Sequence, residues 1–261
     1  MTNTTYAIIG ICFIFLATCI GAAIIFLFKK NISEKYNVFF MSFAGGIMMA
    51  SSIWSLLIPA IDNSSNYGSF AFLPACIGFL LGCLFLFGLD ALVTKTQSLK
   101  ETTFTKRKTS KNNRMFLVLC IHNIPEGLSV GVALGSAFVM GTTSSFLVAL
   151  SLAIGIGIQN IPEGLAVALP MYEQTGSKWK AFLYGVFSGV LEPIAAIIGL
   201  LISSLVSSLL PWMLAFAAGT MIYTIVNELL PETQSGGLKT KGTWGFIIGF
   251  LIMMILDVAF A

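Results

Sequence analysis

The chain has 261 residues, of which 57% are hydrophobic and only 10% charged, where an ordinary soluble domain carries about 25% charged residues. That balance excludes a soluble core under a polar skin and leaves no room for a separate soluble domain. A net charge of +3 gives no footing for a nucleic-acid partner, and where the basic residues lie is more informative than their sum.

Crossing a hydrocarbon layer about 30 Å thick takes about 20 mostly apolar residues. Read for apolar length and for breaks, the chain predicts eight spans at about 6–28, 38–61, 70–90, 115–135, 146–169, 181–207, 211–230 and 243–260. The first is uncharged, has no Lys or Arg before it, exceeds the length of a signal core and lacks a small-residue cleavage pattern. It is therefore expected to be a membrane helix. The runs are continuous, unlike the ten-residue alternation of a membrane β-barrel. The expected fold is an all-α integral membrane protein, a single transmembrane domain over residues 1–261.

The breaks between spans fall at 29–37, 62–69, 91–114, 136–145, 170–180, 208–210 and 231–242. Lys29, Lys30 and Lys35 lie in the first, and Lys95, Lys100, Lys106, Arg107, Lys108, Lys111 and Arg114 in the third. Lys178 and Lys180 lie in the fifth, Lys239 and Lys241 in the seventh, which accounts for every Lys and Arg in the chain. Odd-numbered loops all lie on one side, so the positive-inside rule predicts that side to be cytoplasmic and both termini to be outside. Residues 94–114 form the one long polar segment, without apolar periodicity, and predict a mobile cytoplasmic basic loop. Cys12, Cys19, Cys76, Cys83 and Cys120 all fall in apolar segments without a C-x-x-C pair and read as packing residues.

Ionisable groups at membrane depth are expensive and mark a site or pathway. The fourth span contains His122-Asn123-Ile124-Pro125-Glu126-Gly127-Leu128, and the fifth repeats it as Gln159-Asn160-Ile161-Pro162-Glu163-Gly164-Leu165. His122 and Glu126 are four apart, so both face one side of a helix, and Gln159 and Glu163 repeat the geometry. Asn123 and Asn160 sit about 100° further round. Each proline frees the carbonyl four residues earlier, and each following glycine permits a close helix approach. If these were merely packing helices, the two carboxylates would still need a proton or cation between them. Glu192-Pro193, midway along the sixth span, adds a third carboxylate in a Pro-broken helix. Carboxylates, one imidazole and amide oxygens suit a borderline-to-hard divalent ion such as Zn²⁺, Fe²⁺, Mn²⁺ or Cd²⁺.

The doubled motif, the third Glu-Pro, eight spans and a basic loop after the third resemble the ZIP (Zrt/Irt-like) metal transporters, bacterial branch. The resemblance implies an inverted repeat relating spans 1–3 to 6–8 around central spans 4 and 5. It also implies a bundle of spans 1, 4, 5 and 6 moving against a scaffold of 2, 3, 7 and 8. It implies a binuclear centre: His122, Glu126, Gln159, Glu163 and Glu192 at one site, Asn123, Glu126, Asn160, Glu163 and Glu192 at the other. Met48 matches a residue that completes the first site in the bacterial branch, with Ser55 toward the outer mouth and Asp62 at the surface. Asn227-Glu228 stands where many relatives place a metal-binding pair near the inner exit, while Asp90 and Asp257 read as boundary or packing acids. Gln159 replaces a His common in relatives, and the basic loop lacks histidine.

The function these residues predict is transport of a divalent metal, zinc first, into the cytoplasm across the cell membrane, the metal being cargo and not a cofactor. The expected partners are that ion and the lipid bilayer; the oligomeric state is open, a homodimer included. A proton or organic-solute transporter using the same carboxylates is the alternative. An intramembrane metallohydrolase fits less well, because only one His exists and no H-E-x-x-H occurs.

Overall fold

Eight helices long and apolar enough to cross a membrane run through the computed structural model: Asn3–Leu27, Glu34–Asp62, Phe72–Leu92, Phe116–Met140, Thr143–Thr175, Lys178–Ser203, Leu210–Leu229 and Lys239–Ala259. They are called spans 1 to 8. The structure describes residues 2–28, 34–98, 104–206, 209–233 and 238–260, and every regular element among them is helical.

The number and order of spans match the sequence expectation, but their ends differ. The helix of span 4 runs Phe104–Met140 and that of span 5 Thr143–Thr175, so the break expected at 136–145 shrinks to Gly141 and Thr142. Local chemistry sets that stop. Gly141 takes a left-handed φ of 67°, and the Thr142 hydroxyl accepts from the Ser145 N–H at 3.2 Å as an N-cap. Gly176, with φ 64°, closes span 5 in the same way, and Ser177 caps span 6. The basic segment 94–114 is also largely helical: one helix continues to Ser98 and the next begins at Phe104. Lys and Arg are good helix formers once outside the lipid, so helices overrun the membrane where apolar length alone would end them. Residues 99–103 of that expected loop lie outside the described residues, as do the side chains of its seven basic residues.

Spans 2 and 7 share an irregularity. Ser52–Leu57 and Ile225–Leu229 are π-helical, each ending two residues before a proline, Pro59 and Pro231. A proline cannot donate to the residue four before it and crowds that carbonyl, which here belongs to Ser55 and Asn227. One extra residue in the turn relieves the clash.

The spans pair closely as 1 with 5, 4 with 6, 2 with 8 and 3 with 7. Exchanging 1 with 6, 2 with 7, 3 with 8 and 4 with 5 maps this set of pairs onto itself, the pattern of an inverted repeat around spans 4 and 5. Lipid tails are as apolar as leucine, so helices in a bilayer are held by close packing and hydrogen bonds. Glycine supplies that closeness in all four pairs. A Cβ would strike the Ile161 carbonyl at Gly21, the Ala196 carbonyl at Gly131, the Phe246 carbonyl at Gly46 and the Phe216 carbonyl at Gly82. Span 4 is the most enclosed, 72% of its apolar stretch being buried against 22% for span 8. The first motif copy is therefore carried on the most enclosed span.

Candidate metal centre

His122, Asn123, Glu126, Gln159, Asn160, Glu163 and Glu192 are each at most 1% exposed. The repeated i, i+4 spacing does what the sequence predicts, turning His122 and Glu126 of span 4 toward Gln159 and Glu163 of span 5. His122 Nε2 lies 3.2 Å from Glu163 Oε1 and 3.9 Å from Glu126 Oε1. One ligand atom from each of His122, Glu126 and Glu163 falls within 4.8 Å of the others. Zinc binds N and O ligands at about 2.0–2.2 Å, so small side-chain shifts let the three atoms share one ion. Gln159 joins this group by donating from Nε2 to Glu126 Oε1 at 2.7 Å.

Glu192 is held separately. Its Oε1 accepts from Thr18 Oγ1 at 2.8 Å and from Asn123 Nδ2 at 3.3 Å, and its Oε2 accepts from Asn160 Nδ2 at 2.6 Å. Asn123 Nδ2 also reaches the Ser188 carbonyl at 3.1 Å, and Asn160 Nδ2 the Ile14 carbonyl at 3.3 Å. The two asparagines therefore tie spans 4 and 5 to Glu192 on span 6. Gly127 makes the approach possible: a Cβ there would collide with the Glu192 carbonyl.

These contacts leave much unsatisfied. Glu126 Oε2, both oxygens of Glu163, both ring nitrogens of His122 and the side-chain oxygens of Asn123, Gln159 and Asn160 are buried without a hydrogen-bond partner. Each such group costs about 1–3 kcal/mol when left unpaired. Orphans of this kind are rare in native proteins and ask for an explanation. Among the described residues, eight of these buried atoms belong to the two motif copies, and six of the eight are oxygen acceptors, the donor set of a hard or borderline cation.

The other candidate residues singled out in the sequence lie on spans 2, 3, 7 and 8. Met48 is fully buried in the core on span 2, which packs across span 5. Ser55 donates to Asp257 Oδ1 at 2.8 Å, and Asp62 is exposed. Asn227 Nδ2 donates to Glu228 Oε1 at 3.0 Å and to Asp90 Oδ2 at 3.4 Å. Asp90 and Asp257 each accept a hydrogen bond from a neighbouring span. Thr18 and Ser188 were not predicted. A lone hydroxyl in an apolar helix can satisfy itself on the carbonyl one turn back, as Thr18 does on Ile14 at 3.2 Å, so its type carries no signal.

Residues 114–257 match the family described as ZIP Zinc transporter. The chain is 36% identical to zinc transporter ZIP11 of Xenopus tropicalis, over 92% of this chain and 93% of that protein. It is 34% identical to zinc transporter ZIPB of Bordetella bronchiseptica, over 97% and 81%. It is 32% identical to zinc transporter ZupT of Streptococcus mutans, over 92% of each.

Proposed function

The chain belongs to the ZIP zinc transporter family, and from that premise we propose that it carries Zn²⁺ and related divalent ions across the cell membrane into the cytoplasm. The observation that carries this reading is the set of buried, unpartnered donor atoms on His122, Glu126, Glu163, Asn123, Gln159 and Asn160. Positive charge bound among them offsets the repulsion of the carboxylates and satisfies the orphaned oxygens together.

In this reading His122, Glu126, Gln159 and Glu163 hold one ion, and Asn123, Asn160 and Glu192 hold a second with Glu126 and Glu163 as bridges. Glu192, tied to both asparagines, serves the second ion alone and not both as the resemblance implies, and Met48 approaches the first from span 2. Oxygen and amide ligands bind less tightly than thiolates, which favours release as well as capture. Fe²⁺, Mn²⁺ and Cd²⁺ fit the same donors. The fourteen basic residues, all in odd-numbered loops, support termini outside and 94–114 inside. Binding requires deprotonated ligands, so apparent metal affinity should fall as pH falls.

The test is calorimetric Zn²⁺ binding to the purified protein alongside uptake into vesicles. Glu126→Gln and Glu163→Gln should each weaken binding by more than the roughly 10–100-fold that loss of an outer-shell partner costs, and should abolish uptake. Asn160→Ala should leave measurable uptake. Wild-type affinity and stoichiometry in Glu126→Gln would remove the carboxylates from the site and favour a metal-free proton or solute carrier.

A further inference from the structure

Thr18 touches the centre without belonging to either motif copy. It is fully buried midway along span 1, where its hydroxyl faces Glu192 Oε1 at 2.8 Å and the Ile14 carbonyl at 3.2 Å. One hydroxyl proton serves one acceptor at a time, and the contact to Glu192 is the shorter of the two. Two glycines from other spans fix the place. A Cβ at Gly164, the glycine of the second motif copy, would strike the Thr18 carbonyl, and one at Gly189 would lie 2.9 Å from Thr18 Cβ and Cγ2. Spans 5 and 6 thus close directly onto this residue.

Resting on the reading of Glu192 as a metal ligand, we propose that Thr18 is a positioning residue that makes Glu192 a monodentate ligand through Oε2. A carboxylate oxygen has two lone-pair sites. Thr18 and Asn123 together fill those of Oε1, whereas Asn160 occupies one on Oε2 and leaves the other for an ion. Without the hydroxyl, Oε1 is held only by the 3.3 Å contact from Asn123, so the carboxylate is fixed less firmly and presents Oε2 to the ion for less of the time.

The experiment is Zn²⁺ binding by calorimetry to the purified full chain, with melting temperature followed in parallel. Thr18→Val keeps the shape and removes the donor; it should weaken the Glu192-dependent binding about 10–100-fold, the usual cost of losing an outer-shell partner. Thr18→Ser should restore it, which a purely steric role would not require. In a Glu192→Gln background Thr18→Val should add nothing, since the two act as one unit. Thr18→Ala carries the same comparison if the valine variant does not fold. The inference is overturned if Glu192→Gln weakens binding while Thr18→Val does not, or if Thr18→Val weakens it equally in the Glu192→Gln background. Wild-type binding by Glu192→Gln itself overturns the ligand reading, and the inference with it.

Discussion

At residue 159 the second motif copy has an amide where the first has an imidazole, and the structure gives that difference a use. Gln159 Nε2 donates to Glu126 Oε1 at 2.7 Å, so its own Oε1 is turned away from Glu126 and has no partner. An amide can present an acceptor to an ion and a donor to a neighbouring carboxylate at once, which a singly protonated imidazole achieves only in one tautomer. An oxygen in this position suits harder ions better than a second nitrogen would. Gln159→His should therefore raise the preference for Zn²⁺ over Mn²⁺ in competitive uptake, by roughly tenfold if the exchange of ligand is worth about 1.4 kcal/mol. An unchanged selectivity profile would show that residue 159 does not contact the ion. The motif residues were legible because spacing of four fixes a helix face and because a doubled x-N-I-P-E-G-L puts two such faces in one chain. Thr18 was not legible, because what matters about it is a contact 174 positions away.

Among the helices, the sequence told length well and ends poorly. Apolar runs reveal where lipid is, whereas helix termini are set by caps such as Thr142 and Ser177 and by left-handed glycines. The π-helical turns before Pro59 and Pro231 were also unread, since proline signals a disturbance and not which register resolves it. Their placement is informative in pairs. Ser55 in the first turn bonds Asp257 of span 8, and Asn227 in the second bonds Asp90 of span 3, so the two contacts exchange under the same swap of spans that relates the packed pairs. Close packing gives a sharper test. Gly127, Gly131 and Gly135 form one stripe on span 4, and a Cβ at Gly131 would enter the Ala196 backbone of span 6. Backbone cannot rotate aside as a side chain can. Gly131→Ala should cost about 1–3 kcal/mol, as overpacking does, and lower the melting temperature in detergent. Gly88→Ala, on span 3 with nothing within 4 Å of the added atom, should be neutral. Equal melting of both variants would show that the stripe is not what holds spans 4 and 6 together.

Over the whole molecule, the hydrogen bonds sort the spans into two bodies. Thr18, Asn123, Gln159 and Asn160 join spans 1, 4, 5 and 6 to one another, as do Gln174 with Asn113 and Lys178 with the Phe28 carbonyl. Ser55 with Asp257, Cys83 with the Gly219 carbonyl and Asn227 with Asp90 stay within spans 2, 3, 7 and 8. Of the side-chain hydrogen bonds described between spans, one crosses from body to body: Asn37 Nδ2 of span 2 to Glu173 Oε1 of span 5, at 2.6 Å. Farther along span 5 the facing residue is Gly155, which offers the Ser55 hydroxyl no side chain to catch on. A boundary largely of apolar and glycine packing, with one such tie among the hydrogen bonds described, is what a bundle needs if it is to slide against a scaffold while keeping the proposed metal ligands together. An exposed bond of this kind contributes about 0.5–1.5 kcal/mol, enough to bias the resting position without locking it. The sliding is tested by replacing Asn37 and Glu173 with cysteine in a chain whose five native cysteines are changed to alanine. A short reducible bis-thiosulfonate bridging the pair should stop Zn²⁺ uptake in proportion to the bridged fraction, and reduction should restore it. Zn²⁺ binding to the bridged protein should persist, because every proposed ligand except Met48 rides within the one body. Full uptake by the bridged protein would mean that spans 2 and 5 keep their relative position throughout transport, and the two-body motion would have to be abandoned.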